Sequence, residues 1–99
     1  MQFIVFGKLS DEYDGKPIKG LQEVLKGEWG KSREWYAKGL LRQSWLFENN
    51  EGSIGLFEVE SRQKMDEMIA DYPGVKEGFV TADVHVIEPY PGFFPDKVE

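Results

Sequence analysis

Cysteine is absent from this chain, and histidine occurs once. The first absence excludes a disulfide framework, thiolate chemistry and the usual zinc and iron–sulfur sites. One histidine with scattered carboxylates does not make a transition-metal site, although an axial haem ligand needs only one. Positive charge is scarce as well: 12 Lys plus Arg stand against 18 Asp plus Glu, for a net charge of −6. Such a balance leaves no electrostatic footprint for phosphate backbones or anionic lipid, so neither nucleic acid nor membrane is an expected partner. No apolar run approaches the length of a membrane span, and Met1-Gln2-Phe3-Ile4-Val5-Phe6 lacks a basic region before it. The expectation is a soluble, cytoplasmic protein. There is no Gly-x-Ser-x-Gly elbow, and Gly27-x-x-Gly30 follows no strand, so it is not a phosphate loop.

What is present reads as one domain over residues 1–99, with a C-terminal arm at 89–99, long enough for one core but not two. Gln2 to Leu9 is apolar on both faces, as an interior strand is. Ser10 to Gly20 is polar and turn-rich, and enters the next helix near Pro17. Leu21, Val24, Leu25, Trp29, Trp35 and Tyr36 recur near helical spacing, and the aromatic stripe reads as core. Gly27 and Gly30 predict a kink or break, each costing about 1 kcal/mol relative to Ala. Gly39 suits a C-terminal cap. Leu40 to Glu48 and Ser53 to Glu60 flank Asn49-Asn50-Glu51-Gly52, a β-hairpin signal. Ser61 can cap a second helix carrying Met65, Met68, Ile69 and Tyr72, which Tyr72-Pro73-Gly74 ends. The last strand runs through Phe79-Val80-Thr81-Ala82-Asp83-Val84-His85-Val86-Ile87-Glu88. Val80, Ala82, Val84 and Val86 share its core face, while Phe79, Thr81, Asp83, His85 and Ile87 share the other.

The order β-α-β-β-α-β is the ferredoxin-like α+β arrangement, a four-stranded antiparallel sheet with both helices on one face. The other face is bare. Carrying Phe79, Ile87, Trp45 and Phe47, it would be an apolar patch too large for a monomer, and a face-to-face homodimer covers it.

The run Phe57-Glu58-Val59-Glu60-Ser61, the helix through Met65 and Met68, Tyr72-Pro73 and the final valine-rich strand resemble the C-terminal half of muconolactone isomerases. Gly39-Leu40-Leu41-Arg42-Gln43-Ser44-Trp45 also resembles their second strand. The resemblance covers residues 37 to 90 and extends to the wider dimeric α+β barrel superfamily, which includes cofactor-independent monooxygenases and haem-degrading enzymes. It implies a homo-oligomer of barrel-like dimers and a double-bond shift, without cofactor, in a small carboxylated lactone. Where the isomerases carry histidines on the second strand and in the following turn, this chain has Gln43 and Asn49-Asn50.

Such a shift needs a base beside a carbonyl and stabilisation of the enolate. His85 is the side chain whose ordinary pKa suits neutral pH, with Asp83 two residues away on the same strand face. These two are the catalytic candidates, with packing of His85 at a dimer interface as the plain alternative. Leu41, Gln43, Trp45 and Phe47 form the lumen set, Gln43 as a neutral donor and Trp45 as an apolar wall. Arg42 can hold a substrate carboxylate, but it shares a lumen with Trp45 only if the strand is bulged. Tyr36, with Trp29 and Trp35, can cover a pocket mouth, and Lys8 and Tyr13 stand near the rim. Phe93-Phe94 is read as a dimer clamp. The leading function is an isomerase on a small lactone or aromatic-derived acid. The alternatives are a cofactor-free monooxygenase and a non-enzymatic module binding a small ligand or haem.

Overall fold

The computed structural model describes residues 1–10 and 20–93, leaving out the side chains of Leu21 and Asn50. Pro17, Tyr13 and Phe94, singled out above, lie outside the described residues. Four strands, β1 (Gln2–Leu9), β2 (Leu41–Leu46), β3 (Ser53–Glu58) and β4 (Val80–Ile87), pair in the antiparallel order β2-β3-β1-β4. Helix α1 (Leu21–Ala37) joins β1 to β2, and α2 (Arg62–Ala70) with the short α3 (Pro73–Lys76) joins β3 to β4. This is the ferredoxin-like α+β fold, and β1 is interior as its two-sided hydrophobicity requires. Among the described residues, no helix is long and apolar enough to cross a membrane.

Local chemistry sets most boundaries. Asn49 (φ 61°) and Gly52 (φ 157°) turn the hairpin between β2 and β3. Gly39 takes φ 76° just past α1, and its N–H donates to the Tyr36 carbonyl. The Ser61 hydroxyl accepts from the Lys64 N–H at 3.0 Å and starts α2. Pro73 opens α3, where its missing N–H costs nothing.

Two expectations need correction. Helix α1 runs unbroken through Gly27 and Gly30. At Gly27 tertiary packing repays the weak propensity, since a Cβ there would sit 3.1 Å from Pro73 Cγ. The aromatic stripe of α1 also divides: Trp35 is buried, whereas Trp29 and Tyr36 are exposed. At 100° per residue, Trp29 and Tyr36 stand about 120° and 100° from Trp35, too far to share its face.

Phe3, Val5, Trp35, Leu41, Phe57, Val59, Met65 and Met68 form the core between sheet and helices. Burying each large apolar side chain stabilises the fold by roughly 1.5–3 kcal/mol. The register places Val86, Phe3, Phe57 and Leu41 on one rung of this face, then Val84, Val5, Gly55 and Ser44, then Ala82, Gly7, Ser53 and Leu46. Side-chain bulk falls from the first rung to the third. The opposite face carries Ile4, Phe6, Ile54, Leu56, Trp45 and Ile87 with Asp83 and His85, and no described helix covers it.

Candidate active site

Where the rungs shrink, the helices do not close onto the sheet. A cavity of ≈ 80 Å³ remains, floored by Val5, Gly7, Gly55, Ser44, Ser53 and Ala82. Ser32 and Trp35 of α1, Ile69 of α2, and Tyr72 and Val75 roof it. Gly7 and Gly55 cannot be filled at no cost: added Cβ atoms would lie 2.9 Å from Ser53 Oγ and 2.7 Å from the Phe57 ring. The hollow is therefore a property of the sheet's own sequence.

Its walls are apolar apart from a few hydroxyls. Ser32 Oγ and Tyr72 Oη lie 3.3 Å apart and share a hydrogen bond. Trp35 stacks on Tyr72 with ring centroids 5.5 Å apart and meets Phe57 edge-on at 5.8 Å, which holds the phenol in place. Burial raises the Tyr72 pKa, against the Ser32 hydrogen bond and with the help of the Glu28 charge. The phenol is thus kept protonated, as a donor.

Glu28 does not line the cavity but stands behind its wall at Gly74 and Val80. Glu28, Ser32 and Trp35 are spaced by four and three residues and so share one face of α1. The Glu28 carboxylate is half-buried and accepts a hydrogen bond from the Gly74 N–H at 3.1 Å. It meets Gly74 beside Val80, which lines the cavity. Burial raises its pKa, and the Gly74 hydrogen bond only partly offsets this. A carboxylate so placed is a better base than an exposed one.

The cavity shares Ser32, Leu41 and Ser44 with a shallow, more open pocket of ≈ 270 Å³ at the β2 edge, also lined by Arg33, Tyr36 and Gln43. This is its mouth. Gln43 Oε1 accepts from the Ser44 N–H at 3.1 Å, leaving its amide nitrogen as a donor. Arg33 has no ion-pair partner among the described residues.

The residues nominated by the sequence fall into three groups. Tyr36 and Gln43 stand at the mouth. Arg42 occupies a β-bulge between Leu41 and Gln43, exposed and away from the residues lining cavity and mouth. The bulge sends Leu41 to the helix side while Gln43 and Trp45 keep the open-face register, so Leu41 does not belong with them. Asp83, His85 and Trp45 lie on the open face, across the sheet from the cavity. His85 is exposed and sits edge-on to Phe6, centroids 5.6 Å apart. Trp45 and Gln43 are on one edge strand, Asp83 and His85 on the other; three strand spacings, about 14 Å, separate them. One chain therefore does not gather these four residues around a pocket.

Glu28, Ser32, Arg33 and Tyr72 escaped sequence reasoning. The available signal was Glu28 and Ser32 on the helix stripe that buries Trp35, where an ordinary amphipathic helix carries apolar residues. Among the described residues, no group of three or more His, Cys, Asp or Glu side chains is placed to hold a metal ion.

The family model described as muconolactone delta-isomerase matches residues 1–92. Among solved structures, the fold is similar to the crystal structure of muconolactone isomerase, at 16% identity and a TM-score of 0.76, covering 92% of each chain. It is also similar to 5-chloro-2-hydroxyhydroquinone dehydrochlorinase from Burkholderia phenoliruptrix AC1100, in complex with 2,5-dihydroxybenzoquinone. That likeness has 14% identity and a TM-score of 0.64, and covers 93% of this chain and 98% of the other. No curated protein matches the chain in sequence. At such identities the solved structures speak for the fold alone.

Proposed function

Because the chain belongs to the muconolactone isomerase family, we propose that it shifts a double bond in a small lactone or aromatic-derived acid, by proton transfer and without a cofactor. The observation that carries this reading is one half-buried carboxylate of raised pKa beside an apolar cavity that holds a protonated phenol. The substrate ring occupies the cavity. Glu28 takes a proton from carbon conjugated with the ring carbonyl, and the released electron pair moves through the conjugated system onto the carbonyl oxygen. Tyr72, supported by Ser32, donates a hydrogen bond to that oxygen where the apolar walls exclude water. Return of the proton from Glu28 to the far carbon of the conjugated system moves the double bond, and nothing else is consumed. Arg33, with Tyr36 and Gln43, holds the substrate carboxylate at the mouth.

Asp83, His85 and Trp45 are assigned a different task, in the face-to-face homodimer. The open face is apolar over Ile4, Phe6, Ile54, Leu56 and Ile87, and a second copy of the sheet would cover it.

The test uses muconolactone in D₂O, following isomerisation and deuterium uptake by NMR. Wild-type protein is expected to turn over, and Glu28→Gln to lose about 10²- to 10⁴-fold in rate while keeping its fold. Turnover by Glu28→Gln at the wild-type rate, with loss in His85→Ala instead, would move the site to the open face.

A further inference from the structure

Gly74 is buried at the second position of α3, where any residue can adopt the helical backbone. Space, not conformation, therefore demands glycine here. A Cβ would collide with Glu28 Oε2, and would lie 3.3 Å from Glu28 Cδ and 2.8 Å from Val80 Cγ2. The same backbone unit supplies the N–H that Oε2 accepts, across 46 residues of sequence. Among the described residues, Oε1 has no protein partner. Gly27 stands at this crossing too, its open position receiving the Pro73 ring and bringing α1 close to α3.

We propose that Gly74 is the positioning residue for the Glu28 carboxylate: its missing side chain admits the carboxylate beside the cavity, and its N–H holds one oxygen so that the other is left to exchange protons. This rests on the reading of Glu28 as the base. The arrangement balances two demands. Burial alone would favour the protonated acid, whereas a single N–H donor favours the anion without the full neutralisation a lysine or arginine would bring. Among the described residues, Tyr72 is the titratable group that feels the Glu28 charge across this crossing. Its phenol is neutral and does not displace the carboxylate.

The experiment is a ¹³C NMR titration of the glutamate side-chain carboxyls, with the Glu28 signal assigned by its loss in Glu28→Gln. In the wild type the Glu28 midpoint is expected above the ordinary glutamate value. In Gly74→Ala the added methyl expels the carboxylate toward water, and its midpoint falls toward the ordinary glutamate value. Turnover of muconolactone drops on the order of a hundredfold, the expected cost of misplacing a reacting group by about 1 Å. Gly74→Ala combined with Val80→Ala removes the aliphatic part of the collision, so that a folded protein carries the conflict with Glu28 alone. A Glu28 midpoint unchanged or raised in both variants overturns the proposal. Full activity in Glu28→Gln would instead overturn the reading of the base, and the titration would still decide whether Gly74 places the carboxylate.

Discussion

At one end of the helix-covered sheet face, Phe3, Phe57 and Leu41 are buried side by side; two rungs along, Gly7 and Ser53 leave the same face hollow. Both ends lie on the same strands, and Trp35 of α1 reaches both, meeting Phe57 and roofing the cavity. On the sheet, what differs is residue size. Apolar bulk at the first end holds helices to sheet, and its absence at the second leaves the cavity. Leu41 and Phe57 belong to the core and also line the cavity, whereas Phe3 belongs to the core alone and Gly7 and Ser53 to the cavity alone, so at these last positions packing and cavity can be altered separately.

The sharpest way to break that separation is at the filled end. Phe3→Ala empties a fully buried position, and chemical denaturation is expected to show a loss of about 3–5 kcal/mol, with activity falling only as the folded fraction falls. The converse holds at the hollow end. Tyr72→Phe should cost about 1 kcal/mol of stability, from one hydroxyl hydrogen bond, but about 10²- to 10³-fold in turnover of muconolactone. If instead Tyr72→Phe unfolded the protein and left the specific rate of the folded fraction intact, the hollow end would be structural. Ser44→Val puts bulk into the cavity floor; calorimetric titration with muconolactone should lose its binding signal while the stability changes by under about 1.5 kcal/mol.

Glu28 gives the smallest effect, one of sign. Its folded pKa lies above the unfolded value, so between the two the folded state holds more protons than the unfolded. The favourable contribution is present at acid pH, below the unfolded pKa, and is lost as pH rises through the folded one. Glu28→Gln should therefore raise the melting temperature at neutral pH and leave it unchanged at pH below the ordinary glutamate range. A variant less stable than wild type at neutral pH would contradict the burial of this charge.

The fold was legible because its signals are local. The Asn49-to-Gly52 turn, the Ser61 cap, the Met65 and Met68 pair and the alternation of β4 each act within a few residues. Elements misjudged from sequence were those decided by distant contacts. Gly27 reads as a helix breaker until Pro73 is found packed on it. The bulge at Arg42 reverses the facing of Leu41 relative to Trp45, and an alternation argument cannot see a one-residue insertion. For the site the difficulty was deeper. A titratable side chain such as His85 attracts attention, whereas a cavity is made by what Gly7 and Gly55 lack. Glu28 looks like any helix-surface glutamate until the chain 46 residues later supplies its donor.

The β2 bulge also bears on the exposed edge of the sheet. As the outermost strand, β2 offers a row of unpaired backbone groups, which in a flat and regular strand would template further strands and so invite aggregation. An inserted residue interrupts the spacing of that row, and the charge of Arg42 sits at the interruption. A further strand is hindered from continuing this edge in register past Arg42. The irregularity disfavours open-ended pairing along this edge.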